Sequence, residues 1–256
     1  MSARQLWQDL LVAVQFLTRI PLPALEFRDD SLARASVFFP IVGLLIGATA
    51  GGLFRLLEPH LARVVVALLV VVYLILLTGS LHEDALADAA DGFGGGHTKD
   101  RILAIFRDSR IGSYGAIAIV LSIAARVLLL TTMPFQYVVT YLIAAHVLCR
   151  WTILPLGWAL PSARAENDGQ GARLAQRTSR STLLLGTFIA FALAFLVLRR
   201  QAPAPILAAT LVTWLSGRFY RSKIGGVTGD CFGATVQTTE IAVYLCAAWN
   251  AGVYIA

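Results

Sequence analysis

Charge is the scarcest commodity in this sequence. Only 14% of its 256 residues are charged, against about 25% in an ordinary soluble domain. So little polar surface cannot cover a water-soluble globule of this length. Hydrophobic residues make up 57% of the chain, and its mean hydropathy is +0.72. Cysteine is scarce too. Cys149, Cys231 and Cys246 are scattered, odd in number and outside any CxxC or metal spacing. That excludes a disulfide framework and leaves them as small core residues. A cleavable signal is also missing. The segment MSARQLWQDLLVAVQFLTRIPLP breaks its apolar run at Gln8, Asp9 and Gln15, with no small-residue cleavage site after it. It reads instead as an amphipathic interfacial helix ended by Pro21 and Pro23. Internal repeats and low-complexity tracts are absent as well.

What is present is a series of long apolar runs. A hydrocarbon core of about 30 Å takes about 20 residues of helix at a rise of about 1.5 Å each. The runs 37–57, 64–81, 116–133, 135–160, 183–198, 206–219 and 236–255 meet or approach that length. The expected fold is an all-α polytopic bundle of about seven transmembrane helices, one integral-membrane domain over residues 1–256. Lysine and arginine concentrate in the segments before 37 and at 82–110, 161–182 and 217–235. The opposite loops carry only Arg55, Arg63, Arg199 and Arg200. The positive-inside rule then places the N-terminus in the cytoplasm and the C-terminus outside, in a multi-pass protein of the cytoplasmic (inner) membrane. Every Asp and Glu except Glu58 falls on or beside the same cytoplasmic side. The rule does not require that, and it points to a site at that face.

Two stretches carry the chemistry. In LHEDALADAADGFGGG (81–96), Asp84, Asp88 and Asp91 are spaced i, i+4, i+7, one stripe of a helix that would continue the second span past its cytoplasmic end. Carboxylates about 6 Å apart repel by roughly 3 kcal/mol per pair at an effective dielectric of about 20, and less in water. A divalent cation relieves that, and carboxylate ligands suit Mg²⁺ or Mn²⁺, with Mg²⁺ sharing its shell with substrate phosphates. The bland alternative is a solvated acidic helix end. Arg107, Arg110 and Lys99 supply cations for phosphate, and Asp108 is a further ligand or base. His82 is open between proton shuttle, ligand and structural residue. The second stretch, KIGGVTGDCFGATVQTTE (223–240), sets Thr228 and Asp230 among four glycines. Such a loop can cradle phosphate, though it is not a Walker A loop. Glu240 falls inside the last span, as a site residue or as a packing partner of Arg150. Arg150 lies too deep in the fourth span to snorkel easily, so it faces the bundle, where its partner is a substrate phosphate or a buried acid. Arg126 reads as structural. Together these residues describe a membrane enzyme that moves a phosphoryl-linked group at its cytoplasmic face with Mg²⁺.

At these motifs the sequence resembles the cobalamin synthase family, the adenosylcobinamide-GDP ribazoletransferases. FLTRIPLP (16–23), FFPIVGLLIG (38–47), TGSLHEDALADAADGFGGG (78–96), RDSRIGSYG (107–115) and KIGGVTGDCFGATVQTTE (223–240) occur in the family's order across nearly the whole chain. Ala85 stands where the family usually has Gly, and segment 161–182 matches loosely. The resemblance implies the last assembly step of the cobalamin nucleotide loop. Adenosylcobinamide-GDP and α-ribazole, or its 5′-phosphate, give adenosylcobalamin, or its phosphate, and GMP. It implies that His82, Asp84, Asp88, Asp91 and Asp108 belong to the metal and catalytic region; that Asp84, Asp88 and Asp91 are the metal ligands is inferred from the acidic stripe itself, not from the motif. It places Arg107, Arg110, Thr228 and Asp230 at diphosphate or the pocket wall; Arg150 joins them from its buried charge. The expected partners are these substrates and the lipid bilayer, with no nucleic acid; self-association is allowed but not specified.

Two other classes compete. A CDP-alcohol phosphotransferase also places aspartates at a membrane edge, but of its D-x2-D-G-x2-A-R pattern only the opening survives, at Asp88–Gly92. A cation or proton transporter holds its charges at midplane in broken helices, whereas here they gather at one face.

Overall fold

The computed structural model describes residues 3–22, 31–164 and 170–253; Pro23 and the end of the expected seventh span fall outside them. Among the described residues the regular structure is helical, apart from one isolated β-bridge. In chain order the helices are α1 (Ala3–Leu17), α2 (Ser31–Ala35), α3 (Phe39–Leu57), α4 (Arg63–Thr78), α5 (Leu81–Gly95), α6 (Lys99–Ile105) and α7 (Ser113–Thr132). They continue as α8 (Phe135–Trp151), α9 (Ile153–Ala159), α10 (Gln170–Arg177), α11 (Arg180–Leu198), α12 (Pro203–Ile224) and α13 (Gly229–Val253).

Each expected span falls on one of these helices except 135–160, which covers both α8 and α9. Four are long and apolar enough to cross a membrane: 31–57, α7, 135–159 and α11. The bent pair α4 and α5 passes only when taken together. Among the described residues α12 and α13 have the length of a span, 22 and 25 residues, without passing the same test of composition. The structure therefore supports four or five spans by composition, fewer than the seven expected. The difference lies in the polar residues that the last two helices carry.

The helix ends explain two departures. α4 stops at Gly79, whose left-handed φ of 65° is followed by Ser80 at 60°. Ser80 N–H donates to the Ile75 carbonyl at 3.0 Å and Gly79 N–H to Leu76 at 3.2 Å, a Schellman closure. The chain leaves at 90°, so α5 is a separate helix and not the continuation of the second span. Pro155 cannot donate to the carbonyl four residues back, which interrupts the 135–159 helix between α8 and α9.

The central contact is α3 on α8. Gly43, Gly47 and Gly51 line the face of α3 that meets it. A methyl group at Gly43 would land on the His146 carbonyl, and one at Gly47 on the Ile143 backbone. Small residues four apart allow two backbones this approach where lipid supplies no hydrophobic drive. α1 lays Val12, Ala13 and Leu17 inward and leaves Trp7 exposed. Its buried Asp9 pairs with Arg34 at 3.2 Å.

A polar network sits inside the bundle. Arg126 of α7 donates to Glu83 of α5 at 3.0 Å, and Gln237 of α13 donates to the same oxygen at 3.0 Å. Ser122 bonds Gln237 at 3.0 Å. Arg126 is 1% exposed. Buried charges survive only when paired in this way. The network clamps α5 to α7 and α13.

Candidate active site

α5 carries the acidic stripe, but its three aspartates occupy different surroundings. Asp84 is exposed, Asp88 half-buried and Asp91 buried. Asp91 accepts the N–H of Gly112 at 2.7 Å and of Gly115 at 2.8 Å, one on each carboxylate oxygen. It caps the N-terminus of α7 from another helix, where a negative charge also complements the macrodipole. The glycines of RDSRIGSYG are explained by the same contact, since a methyl at Gly112 or Gly115 would collide with that carboxylate.

The carboxylates of Asp84 and Asp88 make no hydrogen bond or ion pair among the described residues. Both lie on α5 beyond the 90° turn from α4. Burial, and then the carboxylates of Asp84, Asp230 and Asp91, push Asp88 up to about 6. The last helix thus brings Asp230 to the stripe. Asp230 sits on the first turn of α13, where Thr228 Oγ1 donates to its Oδ2 at 3.0 Å and Arg164 Nη2 approaches the same oxygen at 3.4 Å.

A short tie holds this second wall. Val227 N–H donates to the Pro161 carbonyl at 2.9 Å, and Ala163 N–H to the Val227 carbonyl at 2.9 Å. A side chain at Gly226 would strike the Pro161 carbonyl. Gly225, at φ 75°, ends α12 and turns the chain into this tie. A cavity of about 180 Å³ lies between the walls, lined by His82, Asp84, Asp230 and the apolar Phe16, Ile153 and Phe232. Ala85 also lines it, with its methyl filling the space that Gly233 leaves. A glycine opposite accommodates the departure at Ala85.

The remaining expected residues stand elsewhere. Asp108 binds Arg110 on the surface, with Nη2 to Oδ2 at 2.7 Å and Nε to Oδ1 at 3.0 Å. Those bonds hold the Asp108 carboxyl down at about 2. Arg107 is exposed on the same loop. The cation that acts on the aspartate cluster is Arg164, from the segment 161–182 to which the sequence assigns no site. Thr228 is occupied as a cap, donating to Asp230 and accepting from Cys231 N–H at 3.4 Å. Arg150, 2% exposed, points into the core. It bonds His146 Nδ1 at 2.8 Å and Cys149 Sγ at 3.3 Å. Glu240 lies 4.0 Å from Arg126, the residue read as structural.

Asp84 of the acidic stripe and Gly229, Asp230 and Gly233 of the glycine-rich stretch thus line one cavity. The family model for cobalamin-5-phosphate synthase (CobS) matches residues 9–248. The chain belongs to the CobS family. Its CobS relatives include an adenosylcobinamide-GDP ribazoletransferase of Mesorhizobium japonicum, 39% identical over 253 residues, covering 96% of this chain and 95% of the relative. The protein of the same name from Ralstonia nicotianae is 36% identical over 261 residues, covering 97% and 98%. That from Shewanella halifaxensis is 37% identical over 251 residues, covering 94% and 96%. No solved structure matches.

Proposed function

We propose that this CobS member joins adenosylcobinamide-GDP to α-ribazole, or to its 5′-phosphate, and releases GMP, at the cytoplasmic face of the inner membrane. The observation that carries this reading is the meeting of Asp84 and Asp230 in one cavity, with Asp88 one turn further along α5 and within electrostatic reach of both. Near-full-length relatives bearing that enzyme's name support it.

The carboxylates of Asp84, Asp88 and Asp230 lie close enough to repel one another, Arg164 offsets part of that repulsion, and among the described residues those of Asp84 and Asp88 have no hydrogen-bond or ion-pair partner. Hard oxygen ligands of this kind fit Mg²⁺. In our reading Asp84, Asp88 and Asp230 hold the ion, and Asp91 contributes charge from behind while anchoring α7. Bound Mg²⁺ supplies charge neutralisation for the diphosphate and its leaving oxygen.

The protein's part is positioning. Arg164 sets a guanidinium beside Asp230, where a diphosphate oxygen can reach it. The ribazole 3′-hydroxyl attacks the phosphorus attached to cobinamide, the bond from that phosphorus to the bridging oxygen breaks, and GMP leaves. An aspartate of the face takes the hydroxyl proton. A cavity of about 180 Å³ is smaller than the roughly 300–1,000 Å³ that encloses a drug-sized ligand. It takes the diphosphate end, and the corrinoid ring stays at the open mouth.

The test is GMP release by the detergent-solubilised protein given adenosylcobinamide-GDP and α-ribazole. Turnover should vanish in EDTA and return with Mg²⁺. No GMP under any condition would reject the activity, and full turnover in chelator would reject the metal.

A further inference from the structure

A second groove, of about 490 Å³, lies between the α8–α9 unit and α12. On α12 it is lined by Thr210, Thr213, Trp214, Gly217, Arg218 and Arg221, a stripe about 16 Å long at about 1.5 Å per residue. Trp151, Leu156 and Leu160 face it.

Nearly all of this lining is chemically silent. The Thr210 hydroxyl donates to the Ile206 carbonyl at 2.8 Å and that of Thr213 to Ala209 at 2.7 Å. Trp151 Nε1 donates to Thr187 at 2.9 Å. The polar groups left for a ligand are the guanidinium groups of Arg218 and Arg221, both at one end. Neither makes a hydrogen bond or ion pair among the described residues. Arg218 lies over the Trp214 ring at 5.3 Å, which steadies it without neutralising it.

The ligand that fits is therefore anionic at one end and apolar along about 16 Å. That is the depth of one leaflet, half of a hydrocarbon core of about 30 Å. Leu207, Leu211, Trp214 and Leu215 are 50–68% exposed on the same helix, so the flank is built to face hydrocarbon. Its basic end leads directly into the glycine loop of the aspartate cavity, which places both at one membrane face.

We propose that this groove binds an anionic phospholipid of that leaflet, its phosphate on Arg218 and Arg221 and an acyl chain between Trp214 and Leu156. Two guanidinium groups at the end of an apolar cleft recognise a charged head group. A phosphorylated aromatic substrate would find no donor for its ring nitrogens along the walls.

The experiment is native mass spectrometry of delipidated full-length protein incubated with phosphatidylglycerol or phosphatidylcholine of identical chains. Wild type should retain phosphatidylglycerol at least tenfold better, and Arg218→Gln/Arg221→Gln should lose the preference. Gly217→Leu keeps both arginines but fills the cleft, and it should also lose the lipid; this arm decides if the double variant does not fold. Equal retention of the two lipids would overturn the proposal, as would wild-type retention by Gly217→Leu. Displacement of phosphatidylglycerol by inorganic phosphate or by ribazole 5′-phosphate would overturn it too, assigning the arginines to a soluble ligand.

Discussion

Replacing Asp88 by Asn should stabilise the metal-free protein, and the gain should depend on pH. Asp88 stands at about 6 because burial and three neighbouring carboxylates disfavour its charge, whereas an unfolded-chain aspartate titrates near 3.9. Below about pH 4 both states hold the proton and Asp88 costs nothing. Between about 4 and 6 the unfolded chain ionises while the fold keeps its proton, so wild-type stability falls as pH rises through this window. Above about 6 the whole penalty is present. Two pKa units correspond to about 2.7 kcal/mol, and partial exposure cuts this to roughly 1 kcal/mol. For a chain of this size that is about 2–4 °C in the unfolding midpoint. The assay is tryptophan-detected thermal unfolding in detergent and EDTA. The Asn variant should match wild type near pH 4 and exceed it by that margin at pH 7.5. Added Mg²⁺ should raise wild type and leave the variant unchanged. A gap independent of pH would refute the idea that the fold holds a surplus of negative charge at Asp88.

Asp91→Ala should cost about 2–3 kcal/mol, because two amides of the α7 N-terminus lose a charged acceptor; a loss below about 0.5 kcal/mol in chemical denaturation would contradict the capping role. Glu83→Gln leaves Arg126 with Glu240 at 4.0 Å as its only acid among the described residues and should cost about 3–5 kcal/mol. Removing both charges in Glu83→Leu/Arg126→Met should cost less, and the reverse order of midpoints would count against a paired core. A topology reporter fused after Ala256 should read as periplasmic; a cytoplasmic signal would reject an odd number of spans with the N-terminus inside.

Periodicity and length located every long helix, because a run of apolar residues must bury its backbone as helix in a bilayer. The i, i+4, i+7 spacing also placed Asp84 and Asp88 on one face. Surroundings were harder to read. Asp91 shares the stripe's spacing, yet its carboxylate faces two amides that are distant in sequence, a pairing that periodicity does not encode. The turn at Gly79 and Ser80 depends on two consecutive left-handed residues, and only the glycine marks it. Arg164 is one arginine among many in a loosely matching segment, and its role depends on the backbone tie between Pro161, Ala163 and Val227. Asp108 and Arg110 lie near the stripe in sequence, but their mutual bond keeps them to themselves at the surface. The Gly43, Gly47, Gly51 series was readable all along as a small-residue stripe, since its spacing of four is the signature of close helix contact.

In our proposal Asp84 and Asp88, with Asp230, hold a divalent ion that Asp91 does not ligate. Electron paramagnetic resonance of Mn²⁺ titrated into the purified protein tests this most directly. Wild type and Asp91→Asn should both remove free Mn²⁺ signal, while Asp84→Asn/Asp88→Asn should not. Mn²⁺ binding that survives in the Asp84/Asp88 variant, or disappears with Asp91→Asn in a folded protein, would overturn this set of ligands.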